Sequence, residues 1–496
     1  MSRRRLYINS MSAVTQVIVS TGLLFEFYRF ILRQLSTQQI GSWSLVLAVV
    51  SMAGIAEFGI GGSVVKFVAG DIGASNREKA ASTVAMCAAT VATFVAASLL
   101  VVGPVAYFIL QRAVTDPTLL SQTLALLPWA LALVWLTSAG QVFLATLDAC
   151  QRSHVRVGIS LLAAGTQLAA AYHLVPRLGL QGLPLALIAQ AAVSLLLGAL
   201  AAIVILGGQA RFWFRPDLQR LREVLSYGGA VQVIAIAQLT FDPVVKLLLS
   251  TMSGLSLTGL YEVANKAVIQ FRGLIVSAFQ MLVPFLAHRI GGGEVSQLAL
   301  ADIYRAVQGV LVLLAVPYYA LVAGVLPTLL TLWIGHYDPA FVAIGLICLA
   351  GWFANTLAVA SYMIYMATGQ LRWVVRGHLL IGAASTLLGF LLGAAFGGMG
   401  VVTGSMLGLA IGSAIIPVKF HSEYSLPARD FIPGGMAPVA TTSAVGLAVL
   451  LGMQLNSGPR LSPSLAVTYI IVALACAAAM VRHPVGNEII RRGLKS

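Results

Sequence analysis

Charged residues are scarce in this chain of 496 residues: they make up 9% of it, and only 16 residues are Asp or Glu. Soluble domains carry about a quarter charged residues, which keep their surfaces in water. Here 59% of the residues are hydrophobic and the mean hydropathy is +0.92. That much apolar surface cannot be hidden in a soluble fold, so a soluble globular protein is excluded. The composition predicts a polytopic α-helical membrane protein.

Cysteine is scarce as well, and its placement does not suggest a metal or redox site. Four cysteines lie far apart, in or beside apolar segments, without any CxxC pair: Cys87, Cys150, Cys348 and Cys476. Free cysteines in such positions typically behave as small buried hydrophobic residues. The sequence also contains no phosphate-binding loop and no catalytic triad. We therefore expect no cofactor and no enzymatic activity.

Apolar segments long enough to cross a membrane follow one another along the chain. A transmembrane helix needs ~20 mostly apolar residues to span the hydrocarbon layer. The sequence predicts an all-α fold with fourteen spans: 8–33, 40–66, 81–110, 119–147, 155–175, 181–206, 226–251, 258–288, 304–333, 340–368, 373–396, 400–420, 435–455 and 463–481.

Basic residues outnumber acidic ones by 14, and their distribution indicates a membrane topology rather than a nucleic-acid partner. With the N-terminus inside, 21 Lys and Arg residues fall on the cytoplasmic side and 3 on the opposite side. Short cytoplasmic loops of membrane proteins carry such an excess. We predict that both termini are cytoplasmic and that no nucleic acid binds. The basic stretch 207–225 is predicted to be an amphipathic linker at the membrane surface.

Sequence landmarks recur at an offset of 218–219 residues, which indicates an internal repeat. Three pairs carry it: Gly41 with Gly259, Gln151 with Gln370, and Gly179 with Gly397. The offset contains six spans, so the two halves have the same orientation, as in parallel-repeat transporters. The predicted organisation is an N-terminal lobe, the linker, a C-terminal lobe, two additional helices and a cytoplasmic tail: 1–206, 207–225, 226–420, 435–482 and 483–496.

Apart from basic residues near span ends that are counted with the cytoplasmic loops, charges inside the spans are confined to the first two helices of each half. Six are basic and four are acidic: Arg29, Arg33, Lys66, Lys246, Lys266, Arg272, Glu26, Glu57, Asp242 and Glu262. A charge in hydrocarbon costs several kcal/mol, so it normally faces a partner or a wet cavity. The spacing predicts ion pairs between Glu26 and Arg29 and between Asp242 and Lys246. Glu262 and Lys266 repeat the second spacing.

We interpret the six basic residues as candidates for binding an anionic substrate in a polar cavity. Arginine binds phosphate through two parallel hydrogen bonds and keeps its charge when partly desolvated. The four acidic residues, with Asn265 beside Lys266, are candidates for ion pairing or ion coupling. Two alternatives stay open: pairs that only lock helices together, and long basic side chains that reach towards the membrane surface. Glu57, before a glycine-rich stretch, is alternatively a partner for a helix break.

The chain resembles the multidrug/oligosaccharidyl-lipid/polysaccharide exporter superfamily, and within it the polysaccharide flippase branch. The resemblance covers nearly the whole length. The resemblance rests on loose sequence motifs in spans 1, 2, 7 and 8: Arg29-Phe-Ile-Leu-Arg33, Gln39-Ile-Gly41-Ser-Trp43, Glu57-Phe-Gly59-Ile-Gly61, Asp242, and Thr258-Gly259-Leu-Tyr261-Glu-Val-Ala264.

This resemblance implies a transporter that works by alternating access in the bacterial inner membrane. It implies two six-helix lobes around a cavity, and movement of an undecaprenyl-pyrophosphate-linked oligosaccharide to the outer leaflet for cell-surface polysaccharide synthesis. The implied partners are this lipid-linked glycan, membrane lipids and other polysaccharide-assembly proteins, and H⁺ or Na⁺ is a candidate coupling ion. The last two helices resemble the extra pair of lipid II flippases, which forms a groove for the lipid tail.

The sequence leaves open three functions other than a flippase. A multidrug antiporter of the same superfamily typically has twelve helices and acidic sites for cations, whereas the charges inside the spans here are mainly basic. A polysaccharide polymerase or ligase typically has a large outer loop rich in arginine, and here the outer loops are short. A channel or structural protein is compatible with the repeat but is not specifically indicated by it.

Overall fold

The computed structural model describes residues 3–57, 60–207, 217, 219–225, 241–280, 282, 286, 297–460 and 462–487. This part of the chain is almost entirely helical and has no strand. Fifteen α-helices have defined bounds: α1 Arg3–Gln34, α2 Thr37–Ser51, α3 Ile60–Gly73, α4 Arg77–Ala113, α5 Pro117–Ala125, α6 Leu127–Ala149, α7 Ser153–Leu178, α8 Gly182–Ile205, α9 Phe241–Phe279, α10 Gln297–Ile334, α11 Pro339–Thr356, α12 Val359–Thr368, α13 Arg372–Glu423, α14 Ala437–Ser457 and α15 Pro463–Arg482.

Polar side chains mark where several of these helices begin, because the first backbone N–H groups of a helix need acceptors. At α2 the Ser36 hydroxyl accepts from Gln39 N at 3.2 Å, and the Gln39 side chain accepts from Ser36 N at 3.0 Å. The Asp116 and Asp338 side chains accept from the first backbone N–H groups of α5 and α11, each just before a proline. These caps make the connections between spans short and well defined.

Nine helices in the described residues are long and apolar enough to cross a membrane. Two of them, Ser153–Ile205 and Arg372–Glu423, each contain two predicted spans, because helix resumes at once after the turn. Breaks within α9 and between neighbouring helices separate further spans. The predicted fold class, an all-α polytopic membrane protein with about fourteen spans, is confirmed.

Predicted span 2 is broken and longer than expected. It consists of α2, a 3₁₀ helix at Met52–Glu57, and α3, which continues past residue 66 to Gly73. Three of the four residues 59–62 are glycine, which weakens a helix by about 1 kcal/mol each relative to alanine. Lys66 therefore lies in the middle of α3 and not at the end of a span.

The chain divides into two compact units, Met1–Gly259 and Leu260–Ser496. In the first unit α8 packs on α6 and α7, and α7 packs on α1. In the second unit α10 packs on α14, and α11 packs on α13. The predicted lobes at 1–206 and 226–420 stay predictions.

The repeat is visible in the backbone at the turn between the last two helices of each half. Gly179 has φ 57° and ψ −132°, and Gly397 has φ 62° and ψ −150°. This left-handed region favours glycine because it has no Cβ. Three residues later, a Cβ on Gly182 would overlap the Leu174 carbonyl, and one on Gly400 would overlap the Leu392 carbonyl. Both halves thus use one glycine to turn and another to bring two helices into close contact.

A second landmark shifts by one residue from the predicted pairing of Gln151 with Gln370. Gln151 has φ 58°, and the residue with the matching conformation is Gly369, with φ 74°. The next residue in each half donates to a carbonyl five residues earlier: Arg152 N to Leu147 O at 2.8 Å, and Gln370 N to Tyr365 O at 3.1 Å. The common offset is therefore 218 residues, since the backbone conformation decides the register and the shared glutamine does not.

The third landmark is a contact between the two repeat copies, within the first unit. A Cβ on Gly41 would overlap the Leu255 carbonyl, and a Cβ on Gly259 would overlap the Thr37 carbonyl. The hydroxyls of Thr37 and Ser256 are 2.9 Å apart. The contacts are reciprocal, as a local two-fold rotation requires. Glycine at both positions lets the start of α2 touch the part of α9 that follows its break at Gly254.

The end of the predicted linker docks on the first unit through a buried ion pair. Arg220 Nη2 lies 2.7 and 2.6 Å from the two carboxylate oxygens of Asp71, and the Thr83 hydroxyl donates to Asp71 at 3.1 Å. The Ser63 hydroxyl also donates to Val224 O at 2.9 Å. Arg220 was expected to lie at the membrane surface, but it is 13% exposed and bound to α3. Residues 208–216 of the predicted linker lie outside the described residues.

Candidate functional site

Glu26 and Arg29 form the ion pair that the sequence predicts on α1. Arg29 Nη1 lies 3.5 Å from Glu26 Oε2, and both side chains are about half exposed. The Tyr172 hydroxyl of α7 donates to Glu26 Oε1 at 2.6 Å. Arg33 is exposed in the last turn of α1, and no hydrogen bond or ion pair reaches it from the described residues. Glu26 and Arg29 balance each other, so Arg33 leaves this end of α1 with a net positive charge.

Asp242 and Lys246 form the second predicted pair, in the first turns of α9. Lys246 Nζ lies 2.5 Å from Asp242 Oδ2, and the Lys246 side chain is 5% exposed against 38% for Asp242. A buried lysine needs such a partner, because an unpaired charge loses its hydration without compensation. The pair is locally neutral, and this favours a structural role for Lys246 over direct anion binding.

The part of α9 after Gly254 carries Glu262, Asn265 and Lys266. Glu262 and Asn265 are buried, and Lys266 is half-buried. The Trp352 indole of α11 donates to Asn265 Oδ1 at 2.8 Å. Among the described residues, no ion pair or hydrogen bond reaches Lys266. Asn265 is therefore a packing link between α9 and α11, whereas Lys266 keeps an uncompensated charge.

Arg272 is held in place by neutral groups. Its Nη2 donates to Asn355 Oδ1 at 2.7 Å, and its guanidinium lies 4.9 Å from the Trp352 ring centre. Asn355 in turn donates to the Ser413 hydroxyl of α13 at 2.7 Å. Arg272 Nε is buried and has no hydrogen-bond partner. In the described residues no carboxylate pairs with Arg272, so a half-buried guanidinium retains its full positive charge and a free N–H.

The remaining predicted site residues lie on either side of the break in span 2. Lys66 is exposed on α3, with its ammonium 5.4 Å from the Phe67 ring centre. The Arg220 guanidinium lies 4.6 Å from the same ring. The side chain of Glu57 lies outside the described residues.

The structure therefore brings the predicted residues into separate groups in the two units. Glu26, Arg29 and Tyr172 form one, and Asp242 with Lys246 forms another. In the second unit, Asn265 and Arg272 meet at Trp352. A shared cavity for all six basic residues stays a prediction. The chemistry of these groups is charge recognition: the arginines present N–H donors suited to a phosphate or carboxylate.

Sequence reasoning missed three partners that position these charges. Tyr172, Trp352 and Asn355 all lie in apolar helices, and the residues next to them in sequence do not indicate contact with a charged side chain. One signal was available: Trp352 and Asn355 are three residues apart, so they share a face of α11. Their contact with Arg272 depends on how α11 packs against α9, which the local sequence does not express.

In the part of the chain that the structure describes, no group of three or more His, Cys, Asp and Glu side chains could hold a metal ion. The groups above are therefore built from arginine, lysine and their hydrogen-bond partners.

Comparison with known proteins gives a family match for part of the chain. Residues 12–173 match the family model described as MatE. The comparison with curated proteins gives no match.

Among solved structures, the chain is similar to "Lipid II flippase MurJ, inward closed conformation", with a TM-score of 0.70 and 12% identity over 99% of this chain and 100% of that chain. It is also similar to an inward-facing multidrug resistance MATE family transporter of the MOP superfamily, with a TM-score of 0.64 and 14% identity over 85% of this chain and 97% of that chain.

A third similar structure is a MOP superfamily transporter from Pyrococcus furiosus, with a TM-score of 0.56 and 12% identity over 85% of this chain and 96% of that chain. Its title states that a reverse polarity of the binding pocket suggests a different function. At these identities the likeness shows the fold alone. The MatE match and this shared fold confirm the predicted resemblance to the multidrug/oligosaccharidyl-lipid/polysaccharide exporter superfamily.

Proposed function

We propose that this protein is a flippase that moves an undecaprenyl-pyrophosphate-linked oligosaccharide to the outer leaflet of the bacterial inner membrane by alternating access. The observation that carries the proposal is Arg272, a half-buried guanidinium whose partners are an amide oxygen and an aromatic ring. An arginine inside a membrane helix is costly unless it meets an anion or water. A pyrophosphate is an anion that such a fork can bind through two parallel hydrogen bonds.

The charges on the other predicted site residues favour an anionic substrate too. Arg33 and Lys266 have no acidic partner among the described residues, and Arg29 shares Glu26 with the Tyr172 hydroxyl. A site for cationic drugs needs the opposite, an acidic residue without a basic partner. The acidic residues Glu26 and Asp242 are both paired with a basic side chain.

The extent of the structural likeness supports a lipid-linked substrate. The structure titled as a lipid II flippase covers 99% of this chain, whereas the multidrug MATE transporter covers 85%. Two helices beyond the repeat, α14 and α15, distinguish a fourteen-span chain from a twelve-span one. We propose that they contact the lipid part of the substrate, and that both termini lie in the cytoplasm.

The second candidate is a multidrug transporter of the same superfamily. The MatE match over residues 12–173 and the similar multidrug resistance transporter favour it. The two candidates differ in the sign of the substrate's charge, so the arginines distinguish them.

Substitution of the arginines tests the proposal in cells that depend on this gene for surface polysaccharide. Arg272→Ala and Arg29→Ala are expected to abolish surface polysaccharide at unchanged protein level, since losing a charge-assisted contact costs about 1.5–3 kcal/mol, or roughly ten- to a hundredfold in affinity. Arg272→Lys is expected to restore display only in part, because a point charge cannot reproduce the planar fork.

Arg460→Ala, in the loop between α14 and α15, is the matched control and is expected to leave display unchanged. Normal polysaccharide in both the Arg29 and the Arg272 variant would refute the proposed role of these arginines. Altered drug sensitivity with normal polysaccharide would instead favour the multidrug transporter.

A further inference from the structure

The two arms of α13 form a hairpin whose open end carries an aromatic and basic cluster. The helix turns at Gly397, so its first and last residues return to the same end. There the Trp373 indole donates to Glu423 Oε1 at 2.5 Å. We call Arg372, Trp373, Arg376 and Lys419 the Trp373 cluster.

Three cationic groups surround the Trp373 ring. The guanidiniums of Arg372 and Arg376 lie 5.6 and 4.7 Å from the ring centre, and the Lys419 ammonium lies 4.9 Å from it. Each contact is within the range of a cation–π interaction. Three like charges around one ring repel one another, and a bound anion would relieve that repulsion.

Acidic side chains in the described part of the protein compensate this charge only in part. Within the described residues, no ion pair reaches Arg372, Arg376 or Lys419. Glu423 is the nearby carboxylate, but both its oxygens are used by neutral donors: Trp373 Nε1 and, at 2.6 Å, the Tyr365 hydroxyl. The Trp373 cluster therefore keeps most of its positive charge, which is available to an anion from outside the protein.

The surface beside these cations is apolar, because they share a helix face with exposed apolar side chains. Arg372 and Arg376 are followed on the same face by exposed residues at helical spacing: Leu379, Ala383, Leu387 and Phe390. On the other arm, Val418 is 61% exposed beside Lys419. An apolar face of this length on a membrane-spanning helix fits acyl chains, and the cluster lies where their headgroups would be.

We propose that the Trp373 cluster binds the phosphate headgroup of an anionic phospholipid whose chains lie along the exposed face of α13. A lipid bound in this way would place the ring at the membrane interface, where tryptophan is commonly found. The arginines donate to the phosphate oxygens. This site is distinct from the residues assigned to the proposed substrate, and it does not depend on which substrate the protein moves.

The test measures lipid binding to the purified full-length protein in neutral detergent by native mass spectrometry. The probes are dioctanoyl phosphatidylglycerol, dioctanoyl phosphatidylcholine and inorganic phosphate. The wild type is expected to bind the anionic lipid at least about tenfold more tightly than the zwitterionic one. Each cation replaced by Gln is expected to weaken anionic-lipid binding about fivefold, and all three together about a hundredfold.

The matched control is Arg77→Gln with Lys79→Gln, two exposed basic residues at the start of α4 without a nearby tryptophan. This variant is expected to bind like the wild type. If the triple variant fails to fold, Arg376→Gln alone and 0.5 M salt on the wild type replace it, and both are expected to weaken binding.

Four results would overturn the proposal. The first three are equal binding of the two lipids, unchanged anionic-lipid binding after loss of the cluster cations, and an equal loss of binding in the Arg77 and Lys79 control. Displacement of the lipid by millimolar inorganic phosphate would reassign the cluster to free anions and would also overturn it.

Discussion

At the scale of single residues, the partner decides what a charge in the membrane does. Lys246 and Arg272 both lie on α9, and sequence reasoning placed both in one basic set. Lys246 is buried against Asp242 at 2.5 Å and is therefore neutralised. Arg272 is oriented by Asn355 and Trp352 and keeps its charge. We therefore expect substrate affinity to depend on Arg272 and folding to depend on the Lys246 pair.

The Asp71–Arg220 pair allows a prediction about stability. Removing Asp71 leaves the largely buried Arg220 with only the half-exposed Glu223, 3.3 Å from its Nη1, as an acidic partner, which costs up to about 3 kcal/mol. Asp71→Asn is thus expected to lower the free energy of unfolding by about that amount, measured by thermal or denaturant unfolding in detergent. Adding Arg220→Met to Asp71→Asn is expected to recover part of the loss.

The control for this prediction is an exposed pair on α10. Arg305 Nη1 lies 2.8 Å from Asp302 Oδ1, and the Asp302 side chain is 75% exposed. Exposed pairs contribute about 0–1 kcal/mol, so Asp302→Asn is expected to change stability little. Equal losses in Asp71→Asn and Asp302→Asn would contradict a special role for the buried pair.

At the scale of helices, glycines determine which elements can touch. Each half of the chain places glycine where a helix turns in the left-handed region and again where two helices meet. Gly41 contacts Leu255, and the equivalent Gly259 contacts Thr37, so the two copies of the repeat touch each other through matching backbone positions. The proposed alternating access requires some helix contacts to open, and a contact without side chains is suited to that, because little packing is lost on separation.

A disulfide across this contact is the prediction at this scale. In a variant without the four native cysteines, Thr37→Cys with Ser256→Cys is expected to crosslink on oxidation, since the two hydroxyl oxygens are 2.9 Å apart and disulfide partners need close Cβ atoms. Crosslinking is read as a mobility shift on a gel. We expect oxidation to stop transport and reduction to restore it.

The single variant Thr37→Cys is the control and is expected not to shift. Adding Gly41→Leu to the cysteine pair is expected to prevent the crosslink, because the new side chain would overlap the Leu255 carbonyl. A crosslink that leaves transport unchanged would show that this contact does not open during the cycle.

At the scale of the whole molecule, the charge distribution predicts the topology. Reporter fusions after residue 115, between α4 and α5, and after residue 336, between α10 and α11, are expected to report the outer side of the membrane. The reason is the excess of basic residues in the other set of loops. Fusions after residues 152 and 371, in the turns before α7 and α13, serve as controls and are expected to report the cytoplasm. A cytoplasmic signal at 115 or 336 would contradict the topology.

Composition and pattern alone determined the class, the number of spans and the repeat. These properties are expressed locally: a span needs a run of apolar residues, and a turn in the left-handed region favours glycine. The ion pairs Glu26–Arg29 and Asp242–Lys246 were predictable for the same reason, since helical spacing brings the partners together. The register of the second landmark was off by one residue, because a shared glutamine is a weaker signal than backbone conformation.

Only the tertiary structure decided which charges are compensated. Asp71 and Arg220 are 149 residues apart, and Arg272 and Asn355 are 83 residues apart, so no local sequence pattern predicts these contacts. The same holds for the cluster at Trp373, where Lys419 joins two arginines because α13 folds back on itself at Gly397. Compensation depends on distances of a few ångströms between distant segments, and helix packing sets those distances.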